Sequence, residues 1–456
     1  MRWLWLIAFI ALSQAGFCVN QTKALSPISD ASKVPFSITV EQAEFSLPNG
    51  IHSFASAIYD DRWIFLGGST NGLSHEQNAL VYVVDPVSGT TITRSLSDPT
   101  SGLTQSQIDT LAVISPQSLQ SGNTLYIAGG YGFDTASGTY NTKDTLTAVY
   151  LPGLMHWAAN PYPGETAAQH IRQIYHPVFQ VTGGQMVQGN HGMTLLIFGQ
   201  KVTGLSSDPA NSEYTKQVRH LRIIDDGIKL DVEVKDSALE RPCSAYRRRD
   251  FNVVPVIKDS LQEYVAFSGI FTVSGGAWTV PVTISQEGQA TMAKPKAEKT
   301  FKQGMNNYSC PTLGLRSSMN GNMYILFFGG LSFGFFQQGE FKTDSALPFT
   351  NQITAVRMTE RGYFSQYLMD AEYPTILSSQ SNPGNPLFFG AAAKFLPAGH
   401  LPMFDNGVLK LERLGKKPVV VGYIVGGLQS SLPTTCSTSD FAASPYVFRV
   451  ILHRKS

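Results

Sequence analysis

Leu125-Tyr126-Ile127-Ala128-Gly129-Gly130 is an apolar run that ends on two glycines, and the same pattern returns along the chain. It stands at Trp63-Ile64-Phe65-Leu66-Gly67-Gly68, at Tyr324-Ile325-Leu326-Phe327-Phe328-Gly329-Gly330, and at Val421-Gly422-Tyr423-Ile424-Val425-Gly426-Gly427. Two weaker copies lie between, Leu195-Leu196-Ile197-Phe198-Gly199 and Tyr264-Val265-Ala266-Phe267-Ser268-Gly269. A unit that repeats this way marks a repeat architecture. The runs are continuous in their apolarity, as in strands covered on both faces. Glycine at the strand end lets the backbone turn and neighbouring chains approach closely.

The flanks repeat too. A strand is expected ahead of each run: Ser53 to Tyr59, Thr110 to Ser115, Tyr175 to Val181, Phe251 to Ile257, Thr312 to Ser317 and Leu387 to Leu396. A third follows each: Ala79 to Val84, Thr145 to Tyr150, Val218 to Ile224, Trp278 to Ile284, Ile353 to Met358 and Tyr446 to Leu452. Fourth strands are expected at Thr91 to Ser95, Lys229 to Val234 and Phe364 to Leu368.

An apolar strand, a glycine pair, a variable loop and an aromatic strand resemble the kelch repeat, and Tyr150 and Trp157 have the spacing of its aromatic pair. The resemblance implies an all-β, six-bladed kelch-type β-propeller over residues 36–456. The chain stops on a third strand, so Ser37 to Leu47 is expected to supply the missing outer strand and close the ring, which removes an open sheet edge.

Ahead of the repeats, Arg2 followed by the apolar run Leu4 to Leu12 and Ser13-Gln14-Ala15 reads as a signal peptide over residues 1–18. That run is short for a bilayer span. Phe17 stands where lipid attachment at Cys18 would want a small residue. The protein is therefore expected to be exported, periplasmic or secreted, with no membrane span after cleavage and a flexible segment at 19–35. Residues 1–18 hold one basic residue and no acid, so the remainder has equal numbers of each. That balance excludes a basic field for nucleic acid or an anionic membrane. Without Cys18 three cysteines remain, and oxidising surroundings favour one disulfide. Cys243–Cys310 is the expected pair, with Cys310–Cys436 as the alternative.

Every loop after a glycine pair falls on one face of such a propeller, and those loops are long, as functional loops on rigid scaffolds are. The lead-in turns of the first strands share that face and are polar: His52, Asp109, Arg172, Tyr175, His176, then Tyr246-Arg247-Arg248-Arg249-Asp250, Asn306, Asn307 and Asn385. Arginines at a channel mouth fork onto carboxylate or phosphate. Ligand contact is assigned to Arg247, Arg248, Arg249, Asp250, Tyr246, Arg172, Tyr175 and His52. Strand alternation would send Arg247 and Arg249 one way and Arg248 and Asp250 the other. The opposing reading is a structural network in which Asp109, Asp250 or Glu240 neutralises the three arginines. No spacing of His, Cys, Asp or Glu points to a metal, and no cofactor is expected.

The function that follows is a binding module for a glycan, a small anionic ligand, a peptide or a protein partner. The alternative comes from similarity to the periplasmic kelch propellers of bacteria that isomerise sialic acid, which implies a sugar-acid epimerase or mutarotase; no catalytic residue is assigned. The export reading is checked by N-terminal sequencing of the secreted product: it should begin at Gly16 or Val19, and a product beginning at Met1 would refute it.

Overall fold

The computed structural model describes residues 25–455 apart from 73–75, 161–163, 206–208, 236–241, 271, 273–275 and 436. Residues 1–18, and with them the expected signal peptide, lie outside the described residues. The chain is all-β; its two described α-helices are Gln105–Leu111 and Leu151–Ala159. It divides into two units, one of residues 44–249 with 287–289, the other of 1–43, 250–286 and 290–456.

The first unit holds three antiparallel sheets, each strand bonded to the next in chain order. The first sheet is Ala55–Tyr59, Arg62–Leu66, Leu80–Asp85 and Thr90–Ser95. The second is Gln117–Ser121, Thr124–Ala128, Thr145–Tyr150 and Ile171–Tyr175. The third is Gln185–Gln188, Thr194–Ile197, Val218–Asp225 and Leu230–Lys235. Their second and third strands are the apolar runs, and they pack into two clusters. Ile64, Leu66, Val83, Leu125 and Trp157 belong to one, Ala148, Phe179, Leu196 and Leu221 to the other.

In the other unit the fourth sheet is Asn252–Lys258, Leu261–Phe267, Val282–Ser285 and Ala290–Met292. The fifth is Thr312–Arg316, Met323–Phe328, Gln352–Met358 and Phe364–Glu372. The sixth runs Lys394–Pro397, Val419–Val425 and Tyr446–Arg454, then Phe36–Ser46 on its edge. The expected N-terminal strand thus does complete the last sheet. Phe36, Ile38 and Val40 alternate inward. Arg449 pairs with Glu41 at 2.7 Å, and Lys455 N–H donates to the Pro35 carbonyl at 2.9 Å. The segment just before it departs from expectation. Ile28–Asp30 pairs in parallel with Gln366–Leu368 of the fifth sheet, and Ala31 and Val34 are buried, so 28–35 is packed rather than loose.

All six runs end in two consecutive residues with positive φ: Gly67 and Gly68, Gly129 and Gly130, Phe198 and Gly199, Ser268 and Gly269, Gly329 and Gly330, Gly426 and Gly427. The second of the pair reaches back to the next lead-in turn. Gly68 N–H donates to the Val113 carbonyl (2.7 Å), Gly130 to Val181 (2.8 Å), Gly199 to Arg248 (3.1 Å) and Gly330 to Phe389 (3.0 Å). Each lead-in turn carries its own left-handed residue, at Ser53, Ser115, Gly183, Asp250, Ser309 and Ala392. These link in series as well: Ser115 N–H donates to Ser53 O (2.9 Å), Gly183 to Ser115 (3.1 Å) and Ala392 to Ser309 (2.6 Å).

Three first strands were expected in the wrong place; the sixth, expected at Leu387 to Leu396, divides between Phe388–Ala391, which pairs with Leu428–Ser430 in a separate sheet, and Lys394–Pro397, the sixth sheet's first strand. Thr110 to Ser115 is the end of the helix Gln105–Leu111 and a turn; the strand begins at Gln117. Thr104 and Gln107 form a reciprocal capping box that starts the helix. Tyr175 to Val181 is the end of the second sheet's edge strand and a 3-10 turn, Pro177–Phe179, while the third sheet starts at Gln185. Pro177 cannot donate to a ladder, and the His176 ring accepts from Val178 N–H to shape the turn.

Gly129→Ala separates the two demands on the paired glycines. A Cβ there would lie 2.2 Å from the Val181 carbonyl oxygen at φ 61°, whereas at Gly138 (φ 66°) nothing is within 4 Å. Gly138→Ala should cost about 1 kcal/mol for the left-handed backbone alone. Gly129→Ala should cost about 3 kcal/mol or more, since backbone must also move. Chemical denaturation of both variants checks this; equal losses would contradict it.

Candidate functional site

The loops that follow the glycine pairs are themselves folded. In the first unit Tyr131–Asp134 pairs with Thr139–Thr142, and Gln200–Val202 with Ser212–Tyr214. The two hairpins lie side by side. Asn141 bridges Thr203, Tyr131 OH donates to the Gly204 carbonyl (2.9 Å), Gly204 N–H donates to Tyr140 O (2.8 Å) and Val202 N–H to Thr142 Oγ1 (2.8 Å). The other unit has hairpins at the corresponding places, Gly334–Gln337 with Glu340–Thr343, and Leu428–Ser430 with Phe441–Ala443.

The first hairpin presents aromatic rings. Tyr131 stacks on Tyr140 at 5.8 Å, and Phe133 meets Tyr140 edge-on at 5.1 Å. Tyr131 is buried while Phe133 is 36% exposed. Beneath the hairpin Asp109 anchors it to the helix: the carboxylate accepts from Gln105 Nε2 (2.8 Å), Thr135 N–H (2.7 Å) and Thr135 Oγ1 (3.0 Å). The buried Lys143 ammonium holds Asp134 at 3.1 Å.

The arginine run packs against the second hairpin. Ser244–Tyr246 is a 3-10 turn, and Cys243 N–H donates to the Lys216 carbonyl at 2.9 Å. Tyr246 stacks nearly parallel on Phe198, centroids 5.2 Å apart. Phe198 has left-handed backbone, φ 49°, and this packing of a fully buried ring offsets the strain. The Arg247 guanidinium lies 4.0 Å over the Tyr214 ring, a cation–π contact at the hairpin base. Arg248 is entirely buried, at a position that Val113 and Val181 fill in the preceding lead-in turns. Burial pulls its guanidinium down to about 9, still charged at neutral pH. Arg249 and Asp250 are partly exposed, Asp250 turns left-handed, and the run lies ahead of the strand that starts at Asn252, so the expected strand alternation does not apply to it.

Two of the expected ligand residues, Arg172 and Tyr175, are not in a lead-in turn, and a third, His52, is in its turn with both ring nitrogens engaged. Arg172 lies on Ile171–Tyr175, the edge strand farthest from the second sheet's first strand. Its Nε and Nη2 donate to Asp225 Oδ1 (3.1 Å) and Oδ2 (2.8 Å), a fork between the second and third sheets, and Tyr126 OH donates to the same carboxylate (3.0 Å). Tyr175 ends that strand, 58% exposed. His52 is buried in the first lead-in turn. Its Nε2 donates to the carbonyls of Asn71 (2.9 Å) and Gly72 (2.8 Å), and Nδ1 meets Ser53 Oγ at 3.0 Å, so neither nitrogen is left for a ligand. Burial lowers its pKa and keeps the ring neutral. In the other unit Asn306 and Asn307 are fully buried.

The Cys243–Cys310 bridge is not formed. Both are free thiols, Cys243 exposed and Cys310 buried, where its Sγ donates to the Asn307 carbonyl at 3.0 Å. Burial drives the Cys310 thiol well above its ordinary pKa, so it stays protonated and inert. Cys436 lies outside the described residues. Among the described residues no group of three or more His, Cys, Asp or Glu is placed to hold a metal, and no helix is long and apolar enough to cross a membrane.

No family model matches the chain, and no curated protein does. Among solved structures, one described as "Structure of YjhT" is 11% identical and aligns over 90% of this chain and 98% of its own, with a TM-score of 0.44.

Burial by itself would raise the Asp225 carboxyl, but hydrogen bonds from Arg172, Gly227 N–H and Tyr126 outweigh it and hold the group below its ordinary value. A depressed folded pKa gives stability that is present above the unfolded value, about 3.9, and lost as pH falls through the folded one. Asp225→Asn should cost about 3 kcal/mol at pH 7 by stranding a mostly buried arginine, and its deficit against wild type should shrink below pH 4. Denaturation across pH 2–7 checks both; a deficit independent of pH would refute the pairing.

Proposed function

We propose that the chain is an exported, six-bladed kelch-type propeller that binds an acidic glycan on the hairpins following its glycine pairs. The closed ring is supported by six consecutive four-stranded meanders, each with the same double left-handed turn, and by an N-terminal strand completing the sixth. Export rests on the apolar N-terminal run and the small residues after it.

The observation that carries the binding reading is the pair of docked hairpins at 131–142 and 200–214. They are rigid, joined by backbone and side-chain hydrogen bonds, and set a partly exposed aromatic edge beside an arginine-bearing base. Aromatic faces take up the apolar C–H faces of a sugar ring at small entropic cost, because the rings are already fixed. Arg247, held 4.0 Å over the Tyr214 ring, places a planar guanidinium where it can face a carboxylate. Arg248 acts from below: its carbonyl takes the Gly199 N–H, and it fixes the turn that presents Arg247.

A glycan array probed with the secreted domain should select sugars carrying a carboxylate or sulfate. Arg247→Ala should weaken the best of them by about 1.5–3 kcal/mol, and Tyr140→Ala by about 1 kcal/mol, with melting temperature little changed. Retained affinity in Arg247→Ala would remove the hairpin base from the site. Turnover of a free sugar acid, followed by NMR, would favour the isomerase reading instead.

A further inference from the structure

The third sheet carries an arginine that the hairpin site does not use. Arg219 is the second residue of Val218–Asp225, in register with Leu196. Strand alternation places its side chain on the face of Leu221 and Ile223, which pack into the cluster that includes Val178, Phe179 and Met186. Nη1 donates to the Val178 carbonyl. Nε and Nη2 have no exposed surface and no hydrogen-bond partner among the described residues. These two N–H groups form one edge of the planar guanidinium, a fork that fits two acceptor positions at once. Arg172 uses that same edge on Asp225 in the same unit. The fork of Arg172 is filled by an acid of the chain, whereas that of Arg219 meets none among the described residues. Burial pulls the Arg219 guanidinium down to about 10, so it is charged at neutral pH. A guanidinium edge buried without a counter-charge is destabilising, and two unsatisfied donors add to that.

We propose that the Nε and Nη2 edge of Arg219, between the second and third sheets, holds a small monovalent anion: a halide, or a carboxylate of formate size. The enclosure of both nitrogens sets the size limit, and the fork geometry with its single positive charge sets the valence. A bulky glycan does not fit this description, so the site stands independently of the hairpin reading. Such an ion would tie the third sheet to the turn at Val178 without any covalent or acidic partner from the chain.

Crystals of the secreted protein soaked in sodium bromide test the site directly. An anomalous bromide peak in contact with Arg219 Nε and Nη2 is expected. In solution the melting temperature should rise saturably with chloride, bromide or formate, and not with gluconate at the same ionic strength; the larger response distinguishes halide from carboxylate. Arg219→Met, which keeps the apolar stem and removes the charge, should abolish that response. An ordered water at the edge with no bromide, or an equal anion response in Arg219→Met, would overturn the proposal. If Arg219→Met does not fold, the bromide peak in the wild-type crystal decides by itself.

Discussion

The hydrogen bond from Gly130 N–H to the Val181 carbonyl, and its counterparts at Gly68, Gly199 and Gly330, are what the rest of the structure depends on. Each joins the end of one sheet's second strand to the turn that leads into the next sheet. The backbone at both residues of each pair is left-handed, and at Gly67, Gly129 and Gly329 the neighbouring carbonyl oxygen stands 2.2–2.8 Å from where a Cβ would lie. Two residues per repeat therefore serve one purpose, which is why the glycines come in pairs. Where the first is not glycine, as at Phe198 and Ser268, the left-handed turn survives, and at Phe198 a stacked Tyr246 offsets its strain.

The same constraint places the functional loops. A double left-handed turn redirects the chain out of the sheet, and the next segment starts a separate hairpin rather than extending the strand. Four such hairpins follow from four glycine turns, and two of them dock on one another through Tyr131, Gly204 and Thr142. The arginine run is held against this platform by its backbone and by stacking. Arg248 shows how far the scaffold uses these residues: its carbonyl does the work that the Val113 and Val181 carbonyls do in the earlier turns.

Much of the fold was legible because paired glycines and continuous apolar runs are strong local signals. The third strands other than the fourth sheet's, which starts at Val282 rather than Trp278, the fourth strands where named, and the N-terminal strand on the sixth sheet match closely. The misplaced first strands had readable causes. Thr104 to Gln107 is a capping box and His176-Pro177 is a strand stop, two local signals that run against the repeat pattern. Two edge strands, Ile171–Tyr175 and Ala290–Met292, went unnoticed because edge strands lack the continuous apolar signature. That omission moved Arg172 and Tyr175 from a sheet's edge to its start. The hairpin at 131–142 could have been found from Tyr131, Phe133 and Tyr140 flanking a Ser137-Gly138 turn. The engagement of both His52 nitrogens by its own loop, the fork from Arg172 to Asp225 and the unfilled fork of Arg219 depend on tertiary contacts, which a single sequence does not encode locally.

Native-state hydrogen exchange of the glycine amides tests the account most directly. Gly68, Gly130, Gly199 and Gly330 sit in turns, where amides ordinarily exchange through local opening. If these bonds tie the sheets together, the four amides should exchange only by global unfolding, with the same protection as the buried strands Thr124–Ala128 and Met323–Phe328. Exchange as fast as that of the amides in the neighbouring hairpins would contradict it.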